Sequence, residues 1–402
     1  MRALVADKIP PQGRDGLSAL GFDVVFAPDT TADDLPTAMA EHDPTVLVVR
    51  STKVREAAIE SGTQLSLIVR AGAGVNTIDL AAASRRGVFV ANCPGKNAIA
   101  VAELAMALLL AVDRQLVAAN RDLHAGTWNK KKYGTGRGLF GRTLGLVGFG
   151  AIARAVAARA RAFGMDVVAY SRTLDDATAK AHGVRRATGL DDMLGEVDAL
   201  SIHVPLTDET HHLFDEARLR RLRRGTIVVH TARGGVVDDA SLAKLVAEGH
   251  LRAGLDVFES EPGSGSAPFD SPLRGLEGVV GTPHIGASTE QAEVATAEEM
   301  VRVVRTYLET GTPANAVNIV RDRPARWTVV VRHRDRVGVL AGVLGALREA
   351  DLNVQEMQNI VFAGDEAACA TITLEREPPR ALLDELAASP DVFAVDLRRV
   401  VE

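Results

Sequence analysis

The chain has almost no cysteine, with only Cys93 and Cys369 among its 402 residues. A disulfide framework is therefore excluded as a source of stability, and a reducing compartment is the better expectation. Two small, buried apolar side chains are what such cysteines usually become. A strong excess of charge is also lacking. The net charge of -6, with 24% charged and 47% hydrophobic residues, provides no polycationic surface for nucleic acid and suits a soluble globular protein. Long hydrophobic runs are missing too. The longest, LAMALLLAV at 104–112, is too short to cross a bilayer, and the opening MRALVADKIPP has no signal-peptide layout. A cytoplasmic protein with no membrane or nucleic-acid partner is expected.

At this length two or three domains are expected, because single cores stop growing well below it. Up to residue 91, short apolar runs (ALVA, VVF, VLVV, LSLIV, VFVA) alternate with helical patterns such as TADDLPTAMAEH. That alternation predicts a parallel sheet covered on both faces. Residues 97–125 read as one long helix, rich in Ala and Leu. A second α/β unit begins at TLGLVGFG (143–150) and continues through DVVAY, DALSIHV, TIVVHTA, AGLDVF and GVVGTPH. Within it, Asp238 or Asp239 is placed to cap the helix of DDASLAKLVAEG, and Gly249 to end it. A helix in STEQAEVATAEEMVRVVRTYLETG ends at Gly311, and TPANAVNIVRDRPAR reads as a linker. From Trp327 the pattern strand, helix, strand, strand, helix, strand predicts a small βαββαβ domain.

In open parallel sheets ligands bind beyond the carboxyl ends of the strands, so polar residues that close apolar runs come first. Arg50 closes TVLVV, Arg70 closes LSLIV, Arg233 follows IVVHTA, Glu261 lies just beyond LDVF, and His284 closes VVGTP. Each alone reads as a loop residue or a structural ion pair; together they describe one crevice. Arginines hold carboxylates through two parallel hydrogen bonds, a histidine moves protons near neutral pH, and a carboxylate beside it favours the imidazolium. This set suits forming or reducing a carbonyl beside a carboxylate. What it lacks is a hydride donor.

The segment GLVGFGAIARAVAARARAF supplies a place for one. Gly148 and Gly150 follow an apolar strand and open a helix, the context that turns a weak glycine pattern into a dinucleotide site, with Ala153 in place of a third glycine. One further absence stands out. In VVAYSRTLDD (167–176) the strand end where an acid normally meets the ribose of NAD carries Ser171, Arg172 and Thr173 instead. With no acid to repel a 2'-phosphate, and with Arg172 and two hydroxyls to bind one, NADP competes with NAD as the expected cofactor. Arg172 lying over the adenine face would tolerate either, and Asp175 and Asp176 are placed to cap the next segment.

The succession VVRSTKV, VRAGAGVNTIDL, VANCPGKNAIAVAEL, GRTLGLVGFGAIA, HVPLTDET, TARGGVVDDASL, GLDVFESEP and TPHIGAST resembles the NAD(P)-dependent D-2-hydroxyacid dehydrogenases over nearly the whole chain, in family order. The resemblance implies two doubly wound parallel-sheet domains. A flavodoxin-like substrate domain would take 1–97 and 287–316, and an inserted Rossmann domain 98–286. A linker at 317–326 would lead to a C-terminal βαββαβ domain resembling ACT modules at 327–402. It implies Arg233 as the substrate-polarising residue, His284 as acid/base at the C2 hydroxyl, and Glu261 as its partner. Gly148, Gly150, Ala151, Ile152, Ser171, Arg172, Thr173, His203, Pro205, Thr207, Thr231, Ala232, Asp256, His284 and Gly286 would line the cofactor, with Asp256 holding the nicotinamide carboxamide. Arg50, Ser51, Lys53, Arg70, Ala71, Gly72 and Ala73 resemble the substrate segments of the phosphoglycerate-oxidising members, and Lys130, Lys131 and Lys132 a basic loop lent by a neighbouring subunit. The plain alternative for that run is a solvated charge cluster. The long helix from 97 would then serve a homodimer or homotetramer. In the tail, His333 and Asn353 align with positions that bind serine in some relatives, while Asp335 replaces an asparagine and would repel an amino-acid carboxylate; a purely assembling module is the alternative. No metal is expected. Other expectations in view are a glyoxylate or hydroxypyruvate reductase, which would share the Arg, Glu and His set, and a non-catalytic nucleotide sensor like the C-terminal-binding-protein co-repressors.

Overall fold

A computed structural model describes residues 1–262, 266–320 and 327–399, and the chain divides into two compact units, 1–319 and 320–402. Among the described residues the strands form three sheets. In the first, the order is Asp23–Phe26, Arg2–Val5, Val46–Val49, Leu67–Arg70, Phe89–Asn92, every pairing parallel. This is the flavodoxin-like order, and VLVV is buried throughout because helices cover both faces. The second sheet runs Val279–Gly281, Leu251–Leu255, Thr226–His230, Ala199–Ile202, Thr143–Val147, Asp166–Tyr170, Arg185–Arg186, again all parallel. Strand order reverses between Thr143–Val147 and Ala199–Ile202, the switch point where such sheets take ligands. The helix Glu290–Thr310, capped by Thr289 and ended by Gly311, returns to the first sheet, burying Met300, Val301, Val303 and Val304 against Leu17, Val46 and Val69.

The expected single helix at 97–125 is two, Ala98–Asp113 and Leu116–His124, with Gln115 in a left-handed conformation between them. The break has a tertiary cause. Asp113 is fully buried; its carboxylate accepts from Arg142 Nη1 at 2.8 Å and from the Gly138 amide at 2.9 Å, anchoring the first helix in the nucleotide lobe. Losing one partner of such a buried pair costs on the order of 3–5 kcal/mol, so the chain turns after it. The second helix has no buried residue.

Residues 316–318 remain tied to the first lobe. Ala316 bridges Ala91, the Val317 amide donates to the Val90 carbonyl at 2.8 Å, and the Asn318 side chain takes the Val90 amide at 2.8 Å. The rest of the expected linker, 321–326, lies outside the described residues. The second unit is an antiparallel sheet in the order Val354–Val361, Ala367–Leu374, Trp327–Arg334, Val392–Arg399, with helices Val339–Glu349 and Arg380–Ala387 giving the βαββαβ sequence. Strand Ala367–Leu374 alternates partly covered and buried residues, as a sheet with one packed face must.

Candidate active site

Both parallel sheets of the first unit turn their carboxyl ends to one crevice. Arg50, Ser51, Arg70, Ala71, Gly72 and Ala73 line a cavity of about 200 Å³ there together with His284. Gly72 lets the Arg70 guanidinium lie directly against the backbone, since an added Cβ would come within 1.8 Å of Nη1 and push that side chain aside. Burial, then the charges of Arg233 and Arg50, pull the Arg70 guanidinium below its ordinary pKa, and its buried Nε has no partner among the described residues. Arg233 donates from Nη1 to the Ala232 carbonyl at 2.6 Å, and its Nη2 lies beside Gly74 of the other lobe. Three guanidiniums gathered at one crevice, with Arg70 Nε unpartnered among the described residues, make this an anion site.

The opposite wall holds the proton carrier. His284 Nδ1 is 2.7 Å from Glu261 Oε2, while Nε2 has no partner among the described residues. Burial opposes the charge of Glu261, but the His284 bond and charge, the Phe258 amide and Arg233 together outweigh it and hold the carboxyl below its usual range. An ionised carboxylate at Nδ1 makes that nitrogen the donor, which leaves Nε2 as the atom that can take a proton. His284 itself sits at φ +54°, rare for a residue with a Cβ and found where surroundings impose it. Asp256 imposes it. Its backbone carbonyl accepts from the His284 amide at 2.9 Å, and its carboxylate, 1% exposed, accepts from Thr282 Oγ1 at 2.6 Å and from the Ile285 and Gly286 amides at 2.8 Å.

The glycine turn lies at the switch point. Gly148 has φ +87°, and a Cβ there would be 2.7 Å from the His203 carbonyl oxygen; its amide donates to the Tyr170 carbonyl at 2.8 Å. Gly150 begins the helix Ala151–Ala162, whose first turn, Ala151 and Ile152 included, has no side-chain cap. Free amides at a helix start beside an open glycine turn fit a pyrophosphate. The buried hydroxyl of Thr231, next to Ala232, has no partner among the described residues, which fits a hydrogen bond to a ligand on that side. Around the rim, Thr210 Oγ1 donates to the Pro205 carbonyl at 2.6 Å and accepts from the Thr207 amide at 2.8 Å. His203 bonds Ser201 Oγ at 2.8 Å, and burial pushes its pKa down to about 3, so it stands neutral. Ser171 Oγ and Thr173 Oγ1 lie 3.4 Å apart, and Asp175 caps the helix Asp176–Ala181.

Several expected residues stay elsewhere. Lys130, Lys131 and Lys132 form a short exposed helix, with Lys132 3.8 Å from Asp122, away from this crevice within the chain. Lys53 is exposed and does not line the cavity. In the second unit, His333 is buried, with Nδ1 against the Arg334 carbonyl at 2.7 Å and Nε2 3.3 Å from Asn359; Asn353 is exposed, and the Asp335 amide donates to the Glu366 carbonyl. Cys93 lines the cavity, but burial, then the charge of Glu299, pushes its thiol up to about 12, so it carries no nucleophile. Beside the crevice, ligand atoms of His211, His212 and Glu259 lie within 4.8 Å of one another, and the His212–Glu259 contact ties the rim loop to the segment bearing Glu261.

Three residues were not foreseen. Asp7 takes the Arg50, Ser51 and Thr52 amides on one oxygen at 2.7, 3.0 and 3.0 Å. Glu293 pairs with Arg50 at 2.9 Å, and Glu209 with Arg172 at 2.5 Å. Asp7 closes the run ALVA and so carried the same signal as the arginines; the other two lie in a polar helix and a polar loop, where no pattern marks them.

Residues 106–286 match the family model for the NAD binding domain of D-isomer specific 2-hydroxyacid dehydrogenases. A hydroxypyruvate reductase of Thermotoga maritima is 43% identical over 277 residues, which covers 68% of this chain and 87% of that protein. The chain belongs to this dehydrogenase family. A D-3-phosphoglycerate dehydrogenase of Mycobacterium tuberculosis is 41% identical over 362 residues, 88% of this chain. The chain spans 65% of the length of that relative. Among solved structures, a Thermus thermophilus protein superposes with a TM-score of 0.70 at 35% identity, covering 79% of this chain and all of that one. The family's fold accounts for both parallel sheets.

Proposed function

We propose that the chain is a cytoplasmic oxidoreductase that transfers hydride between 3-phosphoglycerate and NAD(P), giving 3-phosphohydroxypyruvate, the first step of serine biosynthesis. The observation that carries this reading is the Glu261–His284 pair set across one crevice from Arg50 and Arg70, with Arg233 reaching toward them from the pair's own wall. The similarity to phosphoglycerate dehydrogenases over 88% of the chain supports the substrate.

Arg233 and Arg70 hold the substrate carboxylate and draw charge toward it. His284 Nε2 accepts the C2 hydroxyl proton as the carbonyl forms, and Glu261 stabilises the imidazolium that results. A nicotinamide bound there would supply the hydride-accepting chemistry, while the chain supplies orientation and charge. Gly148, Gly150 and the start of the helix Ala151–Ala162 would hold the pyrophosphate, with Thr231, Ala232, Asp256 and Gly286 near the nicotinamide end and His203, Pro205 and Thr207 along the rim. At the ribose, Arg172, Ser171 and Thr173 support use of both coenzymes, with NAD the family default.

Lys131 and Lys132 would reach the phosphate from a neighbouring subunit, which makes a homodimer or homotetramer part of this reading. The second unit would act as an ACT module, with an amino-acid effector near His333, Asp335 and Asn353 or with assembly as its only task. No helix among the described residues is long and apolar enough to cross a membrane.

A second reading, reduction of hydroxypyruvate or glyoxylate, is favoured by one observation: Arg50, one of the basic residues expected in the substrate segments, is already paired with Glu293. Steady-state kinetics with 3-phosphohydroxypyruvate, hydroxypyruvate and glyoxylate, using NADH and NADPH in parallel, separates the two. Equal efficiency on the unphosphorylated acids would overturn the phosphoglycerate assignment.

A further inference from the structure

Building on that reading of the crevice, we propose that Glu293 is a specificity-determining residue that weakens the site's hold on a second anionic group of the substrate. Arg50 Nη1 and Glu293 Oε1 are 2.9 Å apart, with side chains 30% and 35% exposed, so the pair is neither fully dry nor fully screened. Both residues line the cavity that also contains Arg70 and His284. Glu293 stands on the first turn of the helix Glu290–Thr310, whose start is fixed by Thr289 accepting from the Ala292 amide at 3.2 Å. Its backbone is therefore anchored, which keeps its carboxylate within reach of the cavity when Arg50 turns to another anion.

The neighbouring donors are also spent. The amides of Arg50, Ser51 and Thr52 all point to one oxygen of Asp7, so this segment has its own acid on its backbone and another on its guanidinium. A phosphate arriving here must take Arg50 from Glu293 and then stay beside the displaced carboxylate. A hydrogen or hydroxymethyl group in the same place meets no such cost. Arg70, with its unpartnered Nε, and Arg233 serve the C1 carboxylate equally for both substrate types. Glu293 therefore acts on the difference between phosphorylated and unphosphorylated acids, since like charges placed together penalise one ligand and not the other.

The test is Glu293→Gln, which keeps size and hydrogen bonding and removes the charge. The ratio of kcat/KM for 3-phosphohydroxypyruvate to that for hydroxypyruvate should rise about tenfold, less than a dry pair would give because solvent screens this one. Calorimetric binding of 3-phosphoglycerate, which needs no turnover, should tighten by a similar factor relative to D-glycerate. Glu293→Asp, which retains the charge, should stay near the wild-type ratio. In an Arg50→Gln background the gain should vanish, because the two side chains act as one pair. A ratio within twofold of wild type in Glu293→Gln, or a Glu293→Asp variant that behaves like it, would overturn the proposal. Wild-type protein that reduces hydroxypyruvate but not 3-phosphohydroxypyruvate would defeat the phosphoglycerate assignment alone; the Glu293 proposal then stands if the variant acquires the phosphorylated substrate and falls if it does not.

Discussion

The two walls of the crevice are built on opposite principles. On the nucleotide-lobe wall the acids around the proton carrier are committed: Asp256 holds the 282–286 turn, Glu261 holds His284, and Asp239 takes the Glu259 amide at 3.0 Å. On the other wall Arg70 keeps an unpartnered Nε and Arg50 rests on an acid it can exchange. The committed wall suits chemistry, where a misplaced proton acceptor costs rate; the exchangeable wall suits recognition. Changes on the first should therefore strike kcat, and changes on the second should sort substrates.

The sharpest test of that division is His284→Ala. It should lower kcat by roughly 10²–10⁴-fold while leaving substrate binding within a few-fold, as removal of a general acid/base does. Near-normal turnover would break both the assignment and the contrast. Arg233 lies on the same wall but points across it, so Arg233→Ala should fall between the two patterns, raising KM and lowering kcat together by an overall factor of about 10²–10³ in kcat/KM. A pure KM effect would move Arg233 into the recognition group.

The committed wall also stores a cost, and pH exposes it. Burial, then the nearby charge of Glu259, raises the Asp239 carboxyl to about 6 in the folded chain, against 3.8 when unperturbed. The unfolded chain therefore loses this proton first, and stability falls as pH rises from about 4 to 6. Above pH 6 the charged, 4% exposed group costs up to about 3 kcal/mol. Asp239→Asn, whose amide oxygen can still accept from the Glu259 amide, should raise the melting temperature at pH 8 and change it little at pH 4. Equal shifts at both pH values would show that the wall carries no such charge penalty.

How much of these walls could be read in advance follows from the same contrast. Parallel strands buried on both faces read as unbroken apolar runs, so VLVV, LSLIV and TIVVH announced themselves, and the charged residues at their ends pointed to the crevice. His284, Glu261 and the arginines were legible for that reason, and the Gly148 turn because only glycine accepts its left-handed φ so near a carbonyl. The helix break at 114–115 was not, because Ala and Leu continue past it and the cause, Asp113 held by Arg142, is 29 residues away in sequence. Glu293 was invisible among the other acids of its helix. Pairing with Arg50 is a fact of the folded first lobe, where a late helix returns to the first sheet, and no periodicity encodes it.

The smallest effect is expected where the exchangeable principle recurs in the nucleotide lobe. Arg172 lies just beyond its strand end, like Arg50, and also carries an acid, Glu209, at 2.5 Å, but here the side chains are 74% and 72% exposed. Solvent screens such a pair, so Glu209 should restrain Arg172 far less than Glu293 restrains Arg50. An acid absent from the strand end is nevertheless brought beside Arg172 by the fold, where its charge would count against a 2'-phosphate bound to that arginine. Glu209→Ala should therefore raise the NADPH to NADH ratio of kcat/KM by only a few-fold, and Arg172→Asp should lower it by about tenfold, because that change removes a donor and adds a repelling charge. Both shifts should shrink as salt rises, whereas the Glu293→Gln selectivity should persist better in its partly covered cavity. An Arg172→Asp variant with an unchanged ratio would remove Arg172 from coenzyme choice. A Glu209→Ala shift as large as that of Glu293→Gln would show that exposure is not what separates the two pairs.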